Sequence, residues 1–437
     1  LSVREQVLGP WPESRVRSAL ETLKAGSSES KVFTGSVIML AGSVLVSIAN
    51  FGYNIGVAHL LGPGDFSQAA AAVTLLMLAS CINLAYQLVT AKLVAKTTIP
   101  AERAAVYQYL MRRAWMVGFG LSAVFVGASR WIASYLRMPS PTLVILLGLG
   151  MLFYIPLGVR RGGMQGTCHF LRLSLNLAAE AFVKLFAAMI LVVGGAGVLG
   201  AVSAISLSVL AAFLLPTNDR ELRQLPSQYH PGSFLESMQA IIFFVGQVII
   251  NNVDILMVKH YFAPSEAGIY AAVALVGRLL YFATWSVTSA MFPISAGSAA
   301  EKESRSVLVV PLLFVAGLST VFVVFLASFP GLVIRTLFGS DFHRVSAGVE
   351  QLLVMNALAT AVYAVCVVLI TYEMSRRIAN TGWLQLVVSF LIVLGVSFFH
   401  ASLMQVIVIQ QVLRALLLLA VSIPFVRRAP ALGRESA

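Results

Sequence analysis

Apolar and polar positions along the chain alternate in long blocks rather than with the period of a soluble helix or strand. A membrane-spanning helix needs about 20 mostly apolar residues, and polar or Gly/Pro breaks divide the sequence into twelve such runs. They cover residues 33–61, 67–95, 107–135, 142–160, 173–194, 197–215, 234–262, 267–297, 307–335, 347–372, 378–398 and 402–426. The fourth is read as ending at Arg160 and Arg161, and Gly194-Gly195-Ala196-Gly197 as a tight turn between the fifth and sixth.

Laying the sequence over itself at an offset of 201 aligns the segment from Val46 with the segment from Gln247. Identical pairs include Asn50/Asn251, Val57/Val258, His59/His260, Pro63/Pro264 and Ala70/Ala271, and the same offset carries Leu136 onto Leu337. Shared Asn, His and Pro in one register mark a six-helix repeat. Because six is even, both halves enter the membrane in the same sense and are related by an axis along the membrane normal. The expected fold is therefore all-α and polytopic, with twelve transmembrane helices in two six-helix bundles related by a pseudo-two-fold axis. Residues 1–32 form an amino-terminal segment, 33–215 the first bundle, 216–233 a polar linker, 234–426 the second bundle and 427–437 a tail. Two such bundles leave a cleft on their axis, which suggests transport.

Composition agrees. The chain is 59% hydrophobic and 11% charged, too little polar surface for a soluble protein. The formal charge of +12 does not point to nucleic acid, because the basic residues punctuate apolar runs rather than gather on one polar face. Of the 30 Lys and Arg, 22 fall on one side of the traced topology and five on the other, Arg130, Arg137, Lys259, Arg335 and Arg344. The positive-inside rule then puts both termini in the cytoplasm. Cys81, Cys168 and Cys366 carry neither a disulfide nor a metal spacing. No catalytic arrangement, metal pair or phosphate loop occurs, so neither an enzyme nor a cofactor is expected.

Several segments resemble a known family: Ala58–Phe66 (AHLLGPGDF), Asn251–Phe262 (NNVDILMVKHYF), Ala267–Leu280 (AGIYAAVALVGRLL) and Met291–Ser295 (MFPIS). They look like bacterial lipid-linked oligosaccharide flippases, polysaccharide-biosynthesis proteins of the multidrug/oligosaccharidyl-lipid/polysaccharide exporter superfamily. Such proteins often have Gly and a nearby Tyr after the first-loop Phe, where this chain has Ser67 and Ala69; the second repeat keeps Gly268 and Tyr270. The resemblance implies movement of a polyprenyl-diphosphate-linked oligosaccharide across the bacterial inner membrane by alternating access, with membrane lipids and polysaccharide polymerase or export machinery as partners. The competing readings are a cation-coupled drug or metabolite antiporter of the same superfamily and a membrane polymerase or ligase. Against the last stands the absence of a large outer loop.

A charge at mid-membrane costs about 2.5–3.5 kcal/mol, so the few inside the runs are the candidate site. Arg278 is central in the eighth run and Arg414 in the twelfth, beside Gln410 and Gln411. Each is either a cavity cation for the diphosphate that the resemblance implies or a structural partner, Arg278 for Asp254. Glu180 and Lys184 share a helix face at four-residue spacing and either pair with each other or line the cavity. Asp254 serves ion coupling or helix fixing. Ser43, Ser47, Asn50 and Asn54 form one stripe, and Gln247, Asn251 and Asp254 form its counterpart. These stripes either line the cleft or hydrogen-bond between helices. His59 and His260, near helix ends, are expected to be interfacial.

Overall fold

A computed structural model describes residues 28–97, 99–216, 222, 238–297, 301–339, 341–342, 348–376 and 381–428. Most of the expected amino-terminal segment, linker and tail lies outside them. Among the described residues every regular element is a helix: α1 (Ser28–Lys96), α2 (Pro100–Gly127), α3 (Ser129–Tyr135), α4 (Thr142–Gly166), α5 (Phe170–Leu191), α6 (Gly197–Leu214), α7 (Met238–Ile250), α8 (Val253–Tyr261), α9 (Pro264–Gly297), α10 (Glu301–Ser328), α11 (Pro330–Phe338), α12 (Val349–Arg376), α13 (Leu384–Phe398) and α14 (Leu403–Arg428).

Among the described residues, seven stretches are long and apolar enough to cross a bilayer. Two of them, Ile38–Lys96 and Phe170–Leu214, are each of double length. The first has 59 residues, about 88 Å of helix against a hydrocarbon core of about 30 Å. It folds back at Gly62, whose φ of 71° is open to glycine and costly for other residues. Pro63 then starts the returning helix, where its missing N–H costs nothing, and Asp65 in the first turn complements the positive helix end. Pro264 and Glu266 start α9 in the same way, Glu266 Oε2 accepting from the Ala263 N–H at 3.3 Å. The second stretch turns at Val192–Ala196, a π-helical turn containing Gly195 at φ 90°, where the sequence predicts a glycine turn.

The twelve crossings are completed by three that hydropathy reads as simple helices. The third is α2 and α3 bent by 62° around Ala128, the seventh is α7 and α8 interrupted at Asn251 and Asn252, and the eleventh is the short α13. The ninth likewise turns at Phe329–Pro330 into α11. The fourth is longer than its sequence suggests, because α4 runs on to Gly166 and buries Arg160 and Arg161 instead of ending at them.

Contact order along the helices shows the repeat. The first part of α1 runs parallel to α5, Gly42, Gly52 and Gly56 facing Ser174, Leu185 and Met189 in turn. Its second part runs parallel to α4, with Asn83, Gln87 and Ala91 against Gly158, Gly162 and Gly166. In the other half α7 and α8 run parallel to α13, through Gly246 against Gln385 and Tyr261 stacked on His400 at 3.9 Å. There α9 runs parallel to α12, through Gly277 against Asn356 and Ser295 bonded to Ser375. The α4/α6 pair reappears as α12/α14. These are two six-helix bundles of one design.

The halves meet where Pro63 and Pro264 lie. Lys259 Nζ, 1% exposed, donates to Ser67 Oγ at 2.7 Å. Phe66 packs on Phe338 and Phe342, with ring centroids 6.5 and 5.9 Å apart. His260 stacks on Tyr135 at 3.9 Å, and its Nδ1 lies 2.6 Å from the Tyr135 carbonyl oxygen. The arrangement is reciprocal: α3 of the first half reaches His260 of the second, and α11 of the second reaches Phe66 of the first. Gly268 lies so close that an added Cβ would sit 1.8 Å from the Pro63 carbonyl oxygen. Small residues on both helices, among them Ala69, Ala70, Ala267 and Ala271, permit such approach.

Gly268→Val should therefore hold this end apart. We expect Ser67→Cys, unreactive to a polar maleimide in the parent protein, to label several-fold faster once Gly268→Val is added; unchanged labelling would contradict the packing.

Candidate functional site

The interruption of the seventh crossing leaves helix-end carbonyls inside a low-dielectric layer, where each unsatisfied polar group costs several kcal/mol. The structure supplies a donor to five successive carbonyls. The oxygen of Gln247 accepts from Asn251 Nδ2 at 2.8 Å, that of Val248 from Asn252 Nδ2 at 2.6 Å and that of Ile249 from the Asn252 N–H at 3.0 Å. The oxygen of Ile250 accepts from Arg414 Nη2 at 3.3 Å, and that of Asn251 from Arg278 Nη2 at 3.1 Å. Two guanidinium groups thus close the negative end of α7, where cations are favoured.

Asp254 occupies the opposite situation, the first turn of α8, where a carboxylate is favoured, and is 4% exposed. Its Oδ2 accepts from Tyr270 at 2.7 Å, the Tyr270 oxygen accepts from Gln410 Nε2 at 2.5 Å, and Gln410 Oε1 accepts from Arg414 Nη2 at 3.1 Å. Every bond in this relay points the same way, from cation to anion, so each polarises the next. Arg414 also lies over the Tyr363 ring at 5.5 Å, and Tyr363 donates to Gln385 Oε1 at 2.6 Å. Gln247 Nε2, Gln385 Nε2, Arg278 Nε, Arg414 Nε and Asp254 Oδ1 are buried and have no protein partner. This end of the network retains hydrogen-bonding capacity, mostly as donors, for a polar group that is not part of the chain.

The first half carries its own cluster. Arg161 Nη2 pairs with Glu180 Oε2 at 2.5 Å, and Arg161 Nε donates to Asn176 Oδ1 at 2.9 Å. Asn176 Nδ2 donates in turn to the Ala212 carbonyl at 2.7 Å. Lys184, 6% exposed, lies 5.3 Å over the Tyr53 ring, a cation–π contact. Asn54 Nδ2 donates to the Asn50 carbonyl at 2.8 Å, while Asn50 Oδ1 is buried without a partner. Ser43 and Ser47 bond back to their own helix.

Asp254, Asn251, Arg278 and Arg414 thus come together around one break, and Glu180 and Lys184 lie in the other half beside Tyr53. Glu180 takes Arg161 as its hydrogen-bonded partner, not the neighbour four residues on. Arg161, Tyr270 and Gln385 belong to these networks and escape a reading of the sequence. Arg161 looked like a helix boundary, and the hydroxyl and amide carry no charge to mark them. The one available signal was that Gly158, Gly162 and Gly166 recur at four-residue spacing through Arg160 and Arg161, a small-residue helix face. The two clusters hold four cations, Arg161, Lys184, Arg278 and Arg414, against two carboxylates, Glu180 and Asp254.

The fold is that of multi-pass transporters of the MOP superfamily. Over 92% of this chain and 100% of the other, it superposes on an inward-facing multidrug resistance MATE family transporter with TM-score 0.72 at 13% identity. The lipid II flippase MurJ in an inward closed conformation gives 0.73 at 11% identity, covering 89% of this chain and 87% of that one. An outward-facing MATE family transporter gives 0.62 at 14% identity over 93% and 97%. No curated protein matches the sequence. A family model described as polysaccharide biosynthesis protein matches residues 57–347, two thirds of the chain, and the chain belongs to that family.

Removing one partner of a buried ion pair leaves an uncompensated charge, at a cost of about 3–5 kcal/mol. Glu180→Leu should lower stability by about that amount, and Arg161→Met added to it should recover most of the loss. Thermal unfolding of the purified protein reads both; a double variant no more stable than the single one would exclude the pairing.

Proposed function

We propose that this chain flips a polyprenyl-diphosphate-linked oligosaccharide from the inner to the outer leaflet of the bacterial plasma membrane. Both termini are cytoplasmic, residues 33–215 and 234–426 are the rocking bundles, and 216–233 is a cytoplasmic linker. The observation that carries this reading is the surplus of cations over carboxylates in the two clusters, with Arg161, Lys184 and Arg414 buried and Arg278 partly buried. Guanidinium binds phosphate oxygens through paired hydrogen bonds, and Arg278 and Arg414 each keep a buried Nε without a protein partner. Family membership supports a role in polysaccharide synthesis, and one protein of the same fold is a lipid II flippase. Asn50, Asn54 and Asn251 contribute polar groups on the first and seventh crossings, and the seventh packs on α1 across the halves.

The packed Pro63 end supports an inward-facing state with that end outside, as does the higher TM-score against the inward-facing than the outward-facing multidrug structure. Alternating access then consists of separating the Lys259–Ser67 and Phe66–Phe338 contacts while the opposite end closes. A cation-coupled antiporter would need a carboxylate available to its cation: Glu180 is held by Arg161, Asp254 is held by Tyr270 through one oxygen in a network with Arg414, and Glu373, the third candidate, accepts from Thr381. Polymerase and export proteins are the expected partners.

Arg278→Ala should abolish export of the surface polymer at normal protein level, while Arg278→Lys retains part of it. Polymer measured on the cell surface beside immunoblots of the membrane fraction decides; full export by the Ala variant would overturn the role of Arg278.

A further inference from the structure

In transporters built on discontinuous helices, the C-terminal end of a half-helix and its unwound carbonyls coordinate the coupling cation. The break at Asn251 and Asn252 has that form, a helix end with exposed carbonyl dipoles and a carboxylate, Asp254, just beyond. The residues present do not fit a metal cation. The carbonyls of Gln247, Val248 and Ile249 are engaged by the Asn251 and Asn252 side chains and the Asn252 N–H. Those of Ile250 and Asn251 are engaged by Arg414 and Arg278. Two guanidinium groups against one carboxylate also leave the surroundings net positive before any metal arrives, and like charges repel strongly in a low dielectric.

We infer that Arg278 and Arg414 are tethered replacements for a coupling cation at the break of the seventh crossing, so that the conformational cycle binds no Na+ or K+ there. A dissolved cation enters and leaves with the gradient; these two stay with α9 and α14, and move only if those helices or a competing anion move them. The charge that stabilises the broken helix is therefore supplied by the protein in every state in which the carbonyl bonds form. The inference concerns the protein's own charges and stands whether the cargo is a lipid-linked glycan or another molecule.

Thermal unfolding of the purified full-length protein tests it without any substrate. In NaCl, KCl and choline chloride of equal ionic strength, the Tm of the parent protein and of Arg414→Lys should agree within about 1 °C, because no cation binds selectively to the folded state. Arg414→Ala should unfold at lower temperature and regain part of the loss in low-millimolar guanidinium chloride, a free cation of the missing shape. A Tm raised by about 2 °C or more by Na+ or K+ over choline in the parent protein would overturn the inference, since it reports binding to the folded protein. So would an Arg414→Ala variant as stable as the parent. Should Arg414→Ala fail to fold, the salt comparison on the parent protein and Arg414→Lys decides alone. Neither outcome bears on polymer export by Arg278 variants, so failure here and failure of the flippase reading are separable.

Discussion

A backbone that stops being helical inside a bilayer must find hydrogen-bond partners within the protein, and the seventh crossing imposes that requirement on everything around it. Its interruption exposes carbonyls, four of which are reached by side chains. Asn251 and Asn252 serve the near ones by folding back along α7, while the last two require donors from α9 and α14. Long basic side chains meet the distance and carry a charge suited to the helix end. With two arginines held there, their charge must be balanced, and Asp254, held through Tyr270 and Gln410, provides part of the balance. The remaining positive charge is what the proposed anionic cargo would meet.

The same crossing forms the seam between the halves. Beyond the break, α8 carries Lys259 and His260 into contact with Ser67 and Tyr135 of the first half. The residues that answer the backbone break are thus one short helix away from the contacts that hold the Pro63 end shut. Arg278 and Arg414 bond the carbonyls where α7 meets α8, and α8 is the element that touches the opposite bundle. In the proposed cycle, that short path would let α8 link these side chains to the Pro63 end without a long chain of side chains.

Hydropathy exposed the twelve crossings because each apolar run is close to the length that a bilayer demands, even where the helix itself is as short as α13, and Pro63/Pro264 made the repeat visible because both start a returning helix. The interruptions at Ala128, Asn251 and Phe329 were not legible, since averaging over about 20 residues blurs a two-residue break. Arg160 and Arg161 were misread for a related reason: a pair of arginines normally marks the membrane surface. Arg161 instead stays inside because its partners, Asn176 and Glu180, arrive on the following helix. Arg278, Arg414, Asp254 and Asn251 stood out as isolated polar residues in apolar runs. Their grouping around one break could not be read from spacing, because it depends on how α9 and α14 pack against the seventh crossing.

Leaflet exchange in reconstituted vesicles tests transport most directly. Unilamellar vesicles holding the purified chain would be loaded with a fluorescent polyprenyl-diphosphate disaccharide, and the fraction open to an external reductant followed with time. A flippase predicts that the protected inner-leaflet pool becomes accessible at a rate proportional to protein content. A pool that stays protected, as in protein-free vesicles, would contradict it.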